Sequence, residues 1–196
     1  MRSIPNQPGR SGFTLIELLI VVLIIAILAA IAVPNFLEFQ VRAKVSRAVA
    51  DMRSVRTCVE AYAVDNDEYP DTEKDMWHPS LLDINRLSTP IAYISTMPME
   101  AFPRMAGSYD PTLYGDGNYY RFYNTKRWES TYPQLEEQSF KWFMMSYGPD
   151  VDYSVDDPGG VIAEDLLNGE TYMYYDPTNG TVSSGDIINS NKENAS

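Results

Sequence analysis

Gly12-Phe13-Thr14-Leu15-Ile16-Glu17 opens an apolar run that continues from Leu18 to Val33 without a further charge. The 21 residues from Phe13 to Val33 make about 31 Å of α-helix, which matches the usual thickness of a bilayer's hydrocarbon core. An ionised carboxylate in that layer costs about 2.5–3.5 kcal/mol on insertion scales, so Glu17 is expected to have a partner and a task. A secretory signal carries its small-residue cleavage site after the apolar stretch. Here the order is reversed. A polar leader, residues 1–12 with Arg2 and Arg10, ends at Gly12, and the apolar run follows it. A cut after Gly12 would remove the leader and leave the anchor.

Helical patterning continues beyond the run. Leu37, Val41, Val45, Ala48, Met52, Val55, Val59 and Tyr62 recur at spacings of three and four, while Arg42, Lys44, Arg47, Arg53, Arg56 and Glu60 mark the opposite face. Phe13 to about Val64 therefore predicts one helix of about 78 Å. Pro34 removes a backbone donor inside it, which predicts a kink. Asp65-Asn66-Asp67-Glu68-Tyr69-Pro70 predicts its end, because Asn and Asp favour turns and Pro70 forbids continuation.

After residue 90 short strand-like runs alternate with turns, at 118–124, 140–147, 171–176 and 181–187. Asn179-Gly180 reads as a hairpin turn between the last two. Local pairing without intervening long helices predicts an antiparallel sheet, one face of which covers the apolar stripe of the helix. The fold class is α+β. One long helix, membrane-spanning over 13–34 and amphipathic over 35–66, packs on a small β-sheet head over 67–188. A polar tail over 189–196 is expected to be flexible. Residues 65–117 read as an irregular excursion with one short helix near 79–86.

Charge is divided along the chain. Residues 1–64 carry a net +3 and residues 65–196 a net −15, together the −12 of the whole. So acidic a head disfavours nucleic acid as a partner. Cys58 is the single cysteine, so no internal disulfide can form, and within the helical pattern it reads as a packing residue. His78 reads as a loop residue. No glycine-rich phosphate loop, paired metal ligands or nucleophile elbow occurs, so no catalytic residue is assigned. Asp65, Asp67 and Glu68 read as a solvated turn. Tyr119, Tyr120 and Tyr123 could stack on bases or sugars, but they fit sheet packing better.

The segment from Gly12 to Glu17, with the apolar run behind it, resembles the processing site of type IV prepilins and type II secretion pseudopilins, the class III signal. The resemblance implies cleavage by a prepilin peptidase between Gly12 and Phe13, N-methylation of Phe13, and a role for Glu17 in assembly. It also implies that the kink at Pro34 is shared. Cleavage leaves an ammonium on Phe13 in the membrane layer. Pairing it with Glu17 of an axially shifted neighbour would offset the cost of both charges. The leader's cytoplasmic placement rests on the resemblance, because Arg42, Lys44 and Arg47 beyond the anchor leave the positive-inside rule undecided.

Several head segments resemble the major, G-type pseudopilin: Glu60-Ala61-Tyr62 through Tyr69-Pro70, Ser88-Thr89-Pro90-Ile91-Ala92-Tyr93, Ser146-Tyr147-Gly148-Pro149-Asp150 and Ser184-Gly185-Asp186-Ile187. The tyrosine-rich segment 107–137 has no counterpart. G-type pseudopilins hold Ca²⁺ in a loop near the carboxyl end. Asp150, Asp152, Ser154, Asp156 and Asp157 offer oxygens at suitable spacing here, though they equally fit an exposed acidic turn. Heat released on titration with Ca²⁺ separates the two.

The implied function is mechanical. The chain is expected to be a subunit of a type II secretion pseudopilus, an inner-membrane protein with its head in the periplasm. Its expected partners are other copies of itself, other pseudopilins, the prepilin peptidase, an assembly platform driven by a cytoplasmic ATPase, and lipid before assembly. Alternatives are a type IV pilus major or minor pilin for adhesion or motility, and a membrane-tethered binding module.

Overall fold

In the computed structural model the described residues are 12–71, 84–102, 118–128, 140–151, 175 and 185–191. The first element, α1, is a single helix of 52 residues, Leu15–Asn66. The chain divides into two compact units, Met1–Phe39 and Gln40–Ser196.

In the first unit the large apolar side chains from Phe13 to Phe39 are between 44 and 82 % exposed. A soluble helix buries one stripe against a core, and this one is apolar all round without one. It is long and apolar enough to cross a membrane. Pro34 lies inside the helix and has no N–H to give the preceding turn.

In the second unit the remainder of α1 buries Ala48, Met52, Val55, Val59 and Tyr62, the lower part of the stripe expected from spacing. α1 ends two residues past Val64. Asp67 adopts φ 55°, the left-handed conformation that closes many helices. The Asn66 side chain donates back to the Tyr62 carbonyl at 2.9 Å, and Pro70 follows.

Three antiparallel strands form the sheet in the order β1 (Arg121–Asn124), β2 (Trp142–Ser146), β3 (Ile187–Ser190). Phe122 pairs with Met144, and Met145 pairs with Ile188. Directly opposed residues share a face. Tyr120, Phe122, Trp142, Met144 and Ile187 therefore join the helix stripe in one core, with Ile84, Leu87 and Phe102. Phe122 stacks on Trp142 at 5.8 Å.

The second face departs from a sheet with one wet side. Tyr123, Phe143, Met145 and Tyr147 are also buried. Tyr123 stacks on Phe143 at 4.7 Å, and Arg121 donates its Nε to the Tyr147 hydroxyl at 3.0 Å. β1 and β2 thus read as continuous buried runs, more usual for sheets covered on both sides.

Polar bonds tie helix to sheet. Glu60 accepts from Trp142 Nε1 at 3.2 Å and from the Tyr69 hydroxyl at 3.0 Å. This corrects its assignment to the solvent face. The stripe is wider than its apolar members, and a half-buried carboxylate at its edge serves two donors. Arg56, placed on the same face, reaches the Asn191 carbonyl at 3.4 Å. The Cys58 thiol donates to the Tyr93 carbonyl at 3.1 Å.

Two expectations near the carboxyl end need correction. Of the strand expected at 181–187, residues 181–184 lie outside the described residues and Ile187 opens β3, which runs on past the expected end to Ser190. The expected tail therefore begins too early, because Asn189 and Ser190 pair with Met144 and Phe143. Asn191 closes the ladder, its side chain accepting from the Lys141 amide at 2.8 Å. Polar composition suggested a tail, yet backbone amides pair whatever side chain they carry. The hairpin at Asn179-Gly180, most of the strand at 171–176 and, within 107–137, residues 107–117 and 129–137 lie outside the described residues. Of the short helix expected near 79–86, the described part is a 3-10 turn, Asn85–Leu87.

Gly148 adopts φ 70°, and a Cβ there would meet the Gly185 carbonyl oxygen at 2.6 Å. Two of the segments singled out above, 146–150 and 184–187, meet at this contact. Alanine would be strained in backbone and blocked in space.

Candidate functional site

At the start of α1, Gly12 is exposed, with nothing within 4 Å of where a Cβ would stand. Phe13 is 71 % exposed. The bond between them is open to an enzyme on every side that the described residues define.

Thr14 caps the helix. Its Oγ1 accepts from the Glu17 amide at 3.3 Å, while Glu17 Oε2 accepts from the Thr14 amide at 2.8 Å and from Thr14 Oγ1 at 2.7 Å. This reciprocal arrangement is a capping box, and it satisfies amides that the first turn of a helix leaves without partners. Its signature, threonine three residues ahead of glutamate before an apolar run, was present in the sequence and missed there.

The capping box bears on what Glu17 can do. The carboxylate reaches back along its own helix and stops at the Thr14 amide, one residue short of Phe13. Both bonds to the carboxylate fall on Oε2. Among the described residues Oε1 accepts none and no cation pairs with the carboxylate. One oxygen holds the helix end and the other is available. Pro34, expected as the kink, lies five turns further along the same exposed helix.

Other expected residues fall as follows. Asp150 is exposed in the turn at 148–151. Asp152, Ser154, Asp156 and Asp157 lie outside the described residues, so the Ca²⁺ expectation stands as one. Tyr120 and Tyr123 are buried in the sheet, which answers the stacking question in favour of packing. Asp65, Asp67 and Glu68 are exposed. Asp65 accepts from the Tyr93 hydroxyl at 2.9 Å, and Glu68 stands 4.0 Å from Arg86 and 3.7 Å from Lys126. These last three border a recess of about 330 Å³. Its walls are charged and already paired with each other, unlike the mainly apolar lining of ligand sites, and its size is at their lower limit.

The comparisons with known proteins fall on the same region. A family model described as "Prokaryotic N-terminal methylation motif" matches residues 8–33, a span that includes Gly12, Phe13, Thr14 and Glu17. The type II secretion system core protein G of Aeromonas hydrophila is 28% identical over 152 residues, 77% of this chain and 91% of that protein. The chain is similar to the type IV pilin and type II secretion pseudopilin family. The type IV major pilin protein PilA of Myxococcus xanthus is 48% identical over 71 residues, 36% of this chain and 32% of PilA. Core protein G of Pseudomonas aeruginosa is 40% identical over 67 residues, 34% of this chain and 47% of that protein. The chain thus spans about a third of PilA and about half of the Pseudomonas protein. No solved structure matches significantly. Family members are structural subunits without enzymatic activity. They are made as inner-membrane prepilins, processed by a prepilin peptidase and polymerised.

Proposed function

We propose that the chain is a structural subunit of a type II secretion pseudopilus. The supporting observation is the reach of the alignment with the Aeromonas core protein G. Its 152 residues exceed everything up to the end of α1 at Asn66, so the likeness must extend into the head. In this reading the peptidase cuts between Gly12 and Phe13, Phe13 is methylated, and Glu17 pairs with the Phe13 ammonium of an adjacent subunit. The exposed apolar side chains of the first unit leave lipid for the fibre's core, where neighbouring helices cover them. The contact is heterologous and does not close, as a filament requires. The head stands in the periplasm, with an assembly platform and other pseudopilins as partners.

A second reading, a type IV pilus major pilin, is favoured by the 48% identity with PilA. That alignment, at 71 residues, is little longer than the leader and α1 together, the part both kinds of subunit share.

Deleting the protein in its host separates the two. The pseudopilus reading predicts that exported enzymes accumulate in the periplasm while surface pili, seen by electron microscopy of sheared material, persist. Loss of surface pili with undiminished export would overturn it in favour of the pilus.

A further inference from the structure

Residues 97–102 cross against the sheet beside α1. Met99 bridges to Tyr119, and the Glu100 amide donates to the Asn118 carbonyl at 2.7 Å. The Glu100 side chain turns inward and the residue is 5 % exposed. Its Oε1 accepts from Ser146 Oγ at 2.7 Å and from the Phe102 amide at 3.0 Å. Its Oε2 is buried and accepts no hydrogen bond. Among the described residues no lysine or arginine is paired with it.

The neighbours do not supply the missing cation. From α1, Asp51 accepts the Tyr120 hydroxyl at 3.0 Å and is itself 3.5 Å from the exposed Arg47. Lys44, also on α1, stands 5.8 Å from the centre of the Phe102 ring. From the segment at 118–120, Tyr120 is buried, and burial together with the nearby Glu100 pushes its hydroxyl pKa up. From β2 come Ser146 and then Tyr147, whose hydroxyl is taken by Arg121. Beside β3, Asp186 is buried. A carboxylate buried so is unfavourable, and a neutral acid is not. Burial pushes the pKa of Glu100 up to about 7, against the pull of the bonds from Phe102 and Ser146.

We propose that Glu100 is a proton-operated latch that fastens residues 99–102 to the end of β2. As a neutral acid it stays inside with Ser146 and Phe102. As a carboxylate it draws toward water, and Phe102, two residues on, leaves the core with it. The latch follows from the geometry of the second unit and does not depend on the filament reading.

The direction of the effect is fixed by linkage. Opened, the carboxyl titrates near its ordinary 4.5; closed, near 7. The closed form is fully favoured below pH 4.5, loses ground as pH rises to about 7, and loses no more above it. The open population should grow by tens of fold between pH 5 and 7.

Hydrogen exchange with mass spectrometry on the full chain in detergent micelles, corrected for intrinsic exchange, reads this directly. Peptides covering 99–102 in the wild type are expected to lose protection by tens of fold from pH 5 to 7 and then level off. Glu100→Gln should show a flat profile. Ser146→Ala removes a bond that favours the charged form, so its profile should level off at higher pH. One shared pH profile for wild type and Glu100→Gln would overturn the latch. So would a Ser146→Ala chain that levels off where the wild type does.

Discussion

Replacing Glu17 by alanine or glutamine leaves the chain in the membrane and lowers the assembled fraction by about tenfold or more. The two substitutions separate the two uses of this side chain. Alanine removes both the charge and the capping oxygen that Thr14 holds through Oε2. Glutamine keeps an amide oxygen that can complete a capping box, because glutamate and glutamine both serve at that position. A helix cap is worth about 1 kcal/mol. An unpaired ammonium in hydrocarbon is worth roughly 2.5–3.5 kcal/mol. If the charge is what matters, glutamine fails almost as badly as alanine. The measurement is immunoblotting of sheared fibres against total membrane protein. Full assembly by Glu17→Gln would reduce Glu17 to a cap and remove the electrostatic account of register.

Trp142→Ala is expected to destabilise the head by about 4 kcal/mol. The indole is completely buried, stacks on Phe122 and donates to Glu60. Alanine leaves a cavity against the helix stripe and a half-buried carboxylate with one donor fewer. For a head of this size the melting temperature should drop by about 10–20 °C, read by circular dichroism of the full chain in detergent. Met99→Ala, at a site 54 % exposed, should change it little. Equal melting of Trp142→Ala and wild type would mean that the helix–sheet core does not hold the head together.

How far the sequence carried the fold can be seen at particular residues. The stripe from Ala48 to Tyr62 was legible because spacing alone fixes which helix positions share a face. The end of α1 was legible because Asp67 and Pro70 have few other uses. Strands β1 and β2 were legible as apolar runs. What was not legible is that both their faces are buried, since that depends on chain from elsewhere. The carboxyl end of β3 was missed because Ile187–Ser190 carries half polar side chains, and its membership is decided by pairing with β2 across a long connection. Glu60 was misassigned for a similar reason. Its partners, Trp142 and Tyr69, are distant or beyond the helix end, and periodicity does not see them.

At the amino terminus the motif was plain but its local chemistry was not. Glu17 was expected to meet the Phe13 ammonium of a neighbour, and the structure gives it Thr14 on its own helix as well. The revised picture is that one carboxylate oxygen secures the helix end and the other stays available for a charge from outside. Glu100 was invisible to pattern, because a lone glutamate in an irregular stretch reads as solvated until the fold encloses it.

The account depends most on Phe13 becoming a charged terminus that Glu17 can meet. Mass spectrometry of the protein recovered from native fibres tests that directly. The predicted result is a chain beginning at Phe13 with a methyl group on its nitrogen and residues 1–12 gone. Assembled material that retains residues 1–12 would contradict it, because Glu17 would then have no terminal ammonium to pair with.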